Sequence, residues 1–455
     1  VWGGGMYENE IFYELGEEKG SVMGQDFMFA CAMDTGDIEY LANVRQEAED
    51  QVKRLRNHSS IALWAGNNEN SEGWNRWGWQ DGRTEKEKKE IWNDYLAVFD
   101  AILPKIVAKY SETNYWESSP KFGRGNPKYE FEGDAHDWWV WHDAAPFEHF
   151  EEKIPRFMSE FGFQSFPSNQ VLQYINQTEN IDLKTDAIQS HQKHSRGFQL
   201  IKEYMQRDYN IPTNDEDYAY VSQLVQAKGI TMGIEAHRRA KPYNMGTLYW
   251  QLNDCWPAIS WSSIDYFGKW KALQYKAKKS FENVLISSRI KNDTVNTHII
   301  NDTFEGIQSD LELELQDFNG KIVWSATQKI NVKANSSQQF HQLPLQSFDR
   351  KNLVLVLKFD KQTTNFYLEK PKNLNLLKGD IKKTTTKVDD GFFITLESDV
   401  LQKDVFLSTK NKGHFTDNYF DVLPNTPKKI FFKTDSKALN HLKIKSLNTY
   451  AIKGK

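Results

Sequence analysis

The hydrophobic period changes once along this 455-residue chain, and that change limits what the chain can fold into. Up to about residue 284, short apolar runs alternate with stretches whose apolar residues recur three and four apart. Leu41, Val44, Ala48, Val52 and Leu55 mark one such face, with Asp37 placed to cap its start. Trp92, Tyr95, Leu96, Phe99, Leu103 and Ile106 mark a second, and a third helix is predicted from near Asp217. This is the spacing of amphipathic helices. Between them, residues 22–29, 61–65, 115–117, 138–141, 157–161 and 247–252 read as strands. Alternating strands and helices predict a parallel α/β sheet. With Trp2 closing a run at the start there are seven strands, one short of a (β/α)₈ barrel. The chain opens Val-Trp-Gly-Gly-Gly without a methionine, so Val1 is expected to be interior to a longer protein that supplies the first strand.

After residue 285 the period drops to two. Leu311, Leu313 and Leu315 alternate with Glu312, Glu314 and Gln316, and Asn319-Gly320 turns the chain into Ile322, Val323 and Trp324. A linker is expected around Pro371 and Asn373, followed by strands at 392–396, 405–407, 419–422 and 430–432. The predicted architecture is an α/β barrel at 1–284, truncated at its start, then all-β immunoglobulin-like sandwiches at 285–372 and 373–455.

Composition narrows the function. A net charge of −5 argues against nucleic acid as the main partner, and no apolar run reaches the ~18 residues of a membrane helix. Two cysteines, Cys31 and Cys255, cannot build a disulfide framework, and both are expected to be free, partly buried thiols. No His/Cys/carboxylate spacing suggests a metal, and no glycine-rich loop suggests a nucleotide, so no cofactor is expected. Of the 15 Trp, fourteen lie at or before Trp270. Flat aromatic faces suit sugar rings as well as a large core.

Two acidic segments carry the chemistry. Glu69 follows the apolar run 61–65 within Ala65-Gly66-Asn67-Asn68-Glu69-Asn70, and Glu160 lies inside Phe157-Met158-Ser159-Glu160-Phe161-Gly162. The C-terminal ends of barrel strands are where this fold places its active site. The two Glu are 91 positions apart, about three βα units of ~30 residues, so they would end strands four and seven. Paired carboxyl groups at one sugar site are the arrangement of a glycosidase, retaining if they lie ~5–5.5 Å apart.

These segments, with Val1-Trp2-Gly3-Gly4-Gly5-Met6-Tyr7-Glu8, Gln25-Asp26-Phe27-Met28-Phe29, Leu248-Tyr249-Trp250-Gln251-Leu252-Asn253-Asp254-Cys255-Trp256-Pro257 and Phe415-Thr416-Asp417-Asn418-Tyr419-Phe420-Asp421, resemble the β-mannosidases of glycoside hydrolase family 2. The resemblance covers nearly the whole chain. It implies a retaining exo-β-mannosidase that removes terminal non-reducing β-D-mannose by double displacement, with Glu69 as acid/base and Glu160 as nucleophile. It also implies Asn68 at the sugar 2-hydroxyl and Trp2 and Trp250 beside the terminal mannose. Trp141 and His142, read as the end of a strand, are candidates for further substrate contact. Asp26 is expected to support the site by hydrogen bonding. The implied partner is a β-mannoside glycan and the implied setting extracytoplasmic, whether periplasmic, secreted or lysosomal. The alternatives are β-galactosidase or β-glucuronidase specificity, or a binding relative without catalysis. The oligomeric state is left open.

Overall fold

Three short strands, β1 (Met23–Asp26), β2 (Ile61–Ala65) and β3 (Asn114–Trp116), lie parallel in that order. They belong to a computed structural model that describes residues 1–451 in two units. The first unit holds Val1–Asp137 and Pro155–Glu160; the second holds Trp138–Ile154 and the chain from Phe161 onward.

In the first unit, α1 (Glu10–Lys19) precedes β1 and α2 (Ile38–Leu55) joins β1 to β2. The Asp37 carboxylate accepts from the Tyr40 amide at 2.9 Å and so caps α2. Val44, Ala48, Val52 and Leu55 are buried with Phe27, Ile61, Trp64 and Phe99 in one core, as the helical spacing predicts. The second predicted helix is more irregular. Glu85–Leu96 runs through a wide turn of π type at Ala97–Ile102 into Leu103–Tyr110. Pro104 explains the wide turn: it lacks an amide hydrogen and its ring crowds the carbonyl four residues back. The turn still leaves Phe99, Ile102, Leu103 and Ile106 in the same core.

Strands β4 (Ala135–Asp137) and β5 (Met158–Phe161) pair with each other. Here the sequence reading is corrected. Residues 138–141 do not form a strand; Trp139–His142 is one helical turn, and the strand is the preceding Ala-His-Asp. A four-residue apolar run does not distinguish a strand from a buried helical turn. Two more expected strands are irregular. Around Trp2, the Val1 carbonyl accepts from the Asp26 amide at 3.1 Å without a continuous ladder. In 247–252, the Trp250 amide donates to the Phe161 carbonyl at 2.9 Å and the Gln251 amide to the Trp261 carbonyl at 3.3 Å. Successive amides thus serve different partners and no ladder propagates. The Trp250–Gln251 peptide is cis.

In the second unit, the 25-residue helix Asp215–Arg239 is capped by Asn214, whose side chain accepts from the Asp217 amide. Up to this region the strand–helix alternation follows the pattern of a (β/α)₈ barrel; two β-sandwiches follow. The first comprises β6 (Val284–Lys291), β7 (Thr294–Asn301), β8 (Ile307–Asp317), β9 (Ile322–Val332), β10 (Ser336–Pro344), β11 (Leu353–Phe359) and β12 (Gln362–Tyr367). Its sheets are ordered β10-β7-β6 and β12-β11-β8-β9. Leu311, Leu313 and Leu315 are fully buried, as their alternation requires. The β8–β9 turn needs its glycine: Gly320 has φ +90°, while the Asp317 carboxylate accepts from the Asn319 and Lys321 amides at 2.9 Å.

The expected linker is a short 3₁₀ turn, Pro371–Asn373, with Pro371 buried. The last sandwich pairs Lys382–Val388, Gly391–Glu397, Lys428–Lys433 and His414–Phe415 in one sheet, and Phe420–Val422, Gln402–Ser408 and Lys443–Lys445 in another. Phe392, Ile394, Val405, Val422 and Ile430 fill its core. Residues 452–455, the end of the expected third domain, lie outside the described residues.

Candidate active site

The chain leaving β2 is held in a tight turn. A Cβ on Gly66 would lie 2.3 Å from the Glu117 carbonyl oxygen, so only glycine fits. The Asn67 side chain donates to that same carbonyl at 3.0 Å and accepts from the Asn70 amide and the Ser118 hydroxyl at 3.1 and 2.8 Å. Asn68 is gripped by backbone on one side: its amide donates to the Phe29 carbonyl and its carbonyl accepts from the Cys31 amide, both at 2.9 Å. The Glu69 amide donates to the Ser119 carbonyl at 3.0 Å on the other. These bonds hold Glu69 at φ +64°, in the left-handed region. A side-chain-bearing residue there costs about 1–2 kcal/mol and persists only where its surroundings dictate it. Glu69 then opens the short helix α3 (Asn70–Arg76).

Strands β4 and β5 supply the remaining groups. Alternation along β5 buries Glu160 and leaves Ser159 half-buried. All three residues of β4 are buried, and His136 is only 3 % exposed. Its Nδ1 lies 2.8 Å from Glu69 Oε1 and 3.4 Å from Glu160 Oε2. Its Nε2 lies 3.1 Å from the Ser119 hydroxyl. That hydroxyl donates to Asp134 Oδ2 at 2.5 Å, and the Ser159 hydroxyl donates to the same oxygen at 2.6 Å. Burial disfavours a charged imidazole, but Glu160, Glu69 and Asp134 together outweigh it and raise the His136 pKa to about 9.

Other groups surround the cluster. Cys31 and Cys255 are exposed as residues rather than partly buried; the Cys31 thiol is 3.8 Å from Glu69 Oε2, and its local desolvation with the Glu69 charge pushes its pKa up to about 11. The Asn68 side-chain amide donates to Cys31 Sγ at 3.7 Å. Asp26 accepts from the Gly3 amide at 3.0 Å, and burial holds its carboxyl up to about 6. Ligand atoms of Glu69, His136 and Glu160 all lie within 4.8 Å of one another, a spacing a metal ion would accept. The 2.8 Å contact between His136 and Glu69 makes the set, as it stands, a hydrogen-bonded cluster.

Glu69, Asn68 and Glu160 are thus brought together, and Trp2 belongs to the same unit. Trp2 is 37 % exposed, with its ring against Gly4, where a Cβ would lie 2.0 Å away. Trp250, Trp141 and His142 belong to the second unit. Trp250 is half-buried. Trp141 is fully buried, its ring 5.1 Å from Phe163 and 5.7 Å from Trp261, which is a packing position. His142 is exposed, its ring 5.2 Å from that of His194. The residue to which sequence reasoning gave no role of its own is His136, at the head of the stretch that ends in Trp141 and His142. Its signal was a polar His-Asp pair directly ahead of an aromatic run, a place where a strand can end in a site.

Comparison with known proteins points to one group. Residues 293–373 match a mannosidase Ig/CBM-like domain and residues 376–450 match an Ig-fold domain of the mannosidase type. The β-mannosidase of Bos taurus is 34% identical over 314 residues, covering 63% of this chain and 35% of that protein. β-Mannosidase B of Aspergillus terreus is 33% identical over 298 residues, covering 64% and 35%. The solved β-D-mannosidase of Dictyoglomus thermophilum superposes with a TM-score of 0.87 at 32% identity, over 98% of this chain and 55% of that one. The chain is similar to the β-mannosidases. It spans about a third of the length of the curated relatives it matches. An exo-chitosanase of Amycolatopsis orientalis shares the fold, with a TM-score of 0.71 at 16% identity. Among the described residues, no helix is long and apolar enough to cross a membrane.

Proposed function

We propose that this chain carries the catalytic carboxylates of a retaining exo-β-mannosidase of glycoside hydrolase family 2, which removes terminal β-D-mannose from the non-reducing ends of β-mannosides. The observation that carries the reading is the buried pair Glu69 and Glu160, with oxygens within 4.8 Å of each other and one imidazole facing both. Spacing of this order suits a retaining enzyme, whereas inverting enzymes leave ~6.5–9.5 Å for a water. In the first half-reaction Glu160 attacks the anomeric carbon while Glu69 gives its proton to the leaving oxygen. In the second, Glu69 takes a proton from water, which displaces Glu160 and releases mannose with its configuration retained. Asn68 binds the 2-hydroxyl, and Trp2 packs against the terminal sugar. His142 offers a further polar contact, and Trp141 supports the loop by packing.

The domain division at 284 and 372, the extracytoplasmic setting, and chemistry that needs no cofactor or metal belong to the same reading. The names of the relatives favour mannose over galactose or glucuronic acid. Two buried carboxylates held at one point favour an enzyme over a binding relative, because sugar binding alone does not need that pair. The test is hydrolysis of aryl β-mannoside, β-galactoside and β-glucuronide by the full-length protein, with the first-formed anomer followed by NMR. The β-mannoside should be hydrolysed fastest and should release the β-anomer first. An α-anomer, or preference for another sugar, would overturn the assignment.

A further inference from the structure

We propose that His136 stays protonated through the catalytic cycle and is the shared counter-ion of both carboxylates, balancing the charge of Glu160 in the resting enzyme and that of Glu69 in the glycosyl-enzyme. This rests on the assignment of Glu69 and Glu160 above and makes His136 a positioning residue. The ring faces the two carboxylates through a single nitrogen, Nδ1, at 2.8 and 3.4 Å. Its other nitrogen is tied to Ser119, which is tied to Asp134, and Ser159 on β5 binds the same Asp134 oxygen. The ring orientation is therefore fixed from both strands that carry the chemistry. Asp134 Oδ1 is buried without a hydrogen-bond partner, so part of that carboxylate's charge is left to favour a cation nearby. The ionisable groups around the ring are Glu69, Glu160, Asp134 and Asp26, with Cys31 beside Glu69.

The charge count is what gives the arrangement its use. In the resting enzyme Glu160 is the anion and Glu69 carries the acid proton. In the glycosyl-enzyme Glu160 is an ester and Glu69, having given its proton to the leaving oxygen, is the anion. One fixed cation leaves the trio neutral in both states, and no group has to be recharged between the half-reactions. The contact also selects the proton's location. Nδ1–H occupies Glu69 Oε1, so the acid proton belongs on Oε2, the oxygen that faces Cys31.

The test compares His136→Asn, which keeps a donor without the charge, with His136→Phe, which keeps neither, in the full-length protein. Loss of the cation makes both carboxylates harder to ionise, so both limbs of the pH profile of kcat/KM should move to higher pH by about 1–3 units in each variant. His136→Asn should retain more kcat than His136→Phe, because the donor still orients Glu69. Limbs that stay in place while activity falls would mean a structural role only and would overturn the proposal. An independent reading comes from ¹⁵N NMR of the wild-type histidines. The His136 ring should stay doubly protonated until the pH approaches about 9; a neutral ring at pH 7 would overturn the proposal even if the Asn variant failed to fold. That measurement needs no turnover, so it separates failure of the counter-ion proposal from failure of the mannosidase reading, which the substrate panel judges.

Discussion

Glu160 and Glu69 differ in what their loss should do. On the proposed roles no glycosyl ester can form without the Glu160 carboxylate, so Glu160→Ala should reduce turnover to background on every substrate. Glu69→Ala should lower kcat on natural mannosides by about 10²–10⁴, and by much less on aryl mannosides whose leaving groups need little protonation. Equal losses on both substrate types would remove the acid/base assignment. Cys31 supplies a second test at this scale. Its thiol is held up to about 11, so almost no thiolate is present at pH 8. Iodoacetamide at that pH should modify Cys31 more slowly than it modifies free cysteine, as peptide mass spectrometry can measure. The two Glu were legible in the sequence because each ends or interrupts an apolar run. His136 was not legible as a partner, because a strand of Ala-His-Asp has no apolar pattern and its role comes from residues 67 and 24 positions away.

The turn after β2 and the helix before it are the elements on which the site depends. Gly66→Ala would place a methyl 2.3 Å from a backbone carbonyl that cannot move far, since β3 leads directly into it. It should displace Glu69 and abolish activity even where the protein still folds, which circular dichroism and an assay together can separate. Asp37→Ala removes the cap of α2, exposed and distant in sequence from the carboxylates. It should lower stability by about 1 kcal/mol, seen as a fall in Tm, with kcat unchanged. Helical spacing made α2 legible to within a residue or two. The same reasoning misplaced the strand near residue 138, because four apolar residues in a row satisfy either period.

In the second unit, the helix Ala272–Ser280, strand β12 and the last sandwich meet at a buried charge network. Asp421 accepts from the Tyr367 hydroxyl at 2.7 Å, the Asn365 side chain at 3.1 Å and the Asp404 amide at 2.9 Å. Lys276 bonds Asp404 at 3.1 Å and Lys403 bonds it at 2.7 Å. Burial alone would raise the Asp421 pKa, but Lys403, Lys276 and these hydrogen bonds outweigh it and hold the carboxyl down at about 2. A depressed carboxyl stabilises the fold above the ordinary Asp range, and that contribution is lost as pH falls from about 4 towards 2. Thermal melts between pH 2 and 6 should show this loss, and Asp421→Asn should flatten the Tm dependence in that window.

Periodicity by itself determined the division into an alternating α/β part and two sandwiches, because burying one face imposes a repeat that any reader of the chain can count. It also singled out Glu69 and Glu160, since charges at the ends of apolar runs stand out locally. Only the tertiary structure decided that residues 69, 136 and 160 converge, that Glu69 takes a left-handed backbone, and that Trp141 is packed away from solvent. Each of these depends on contacts between segments far apart in sequence, and pattern along a chain carries no record of which distant segment will supply the partner.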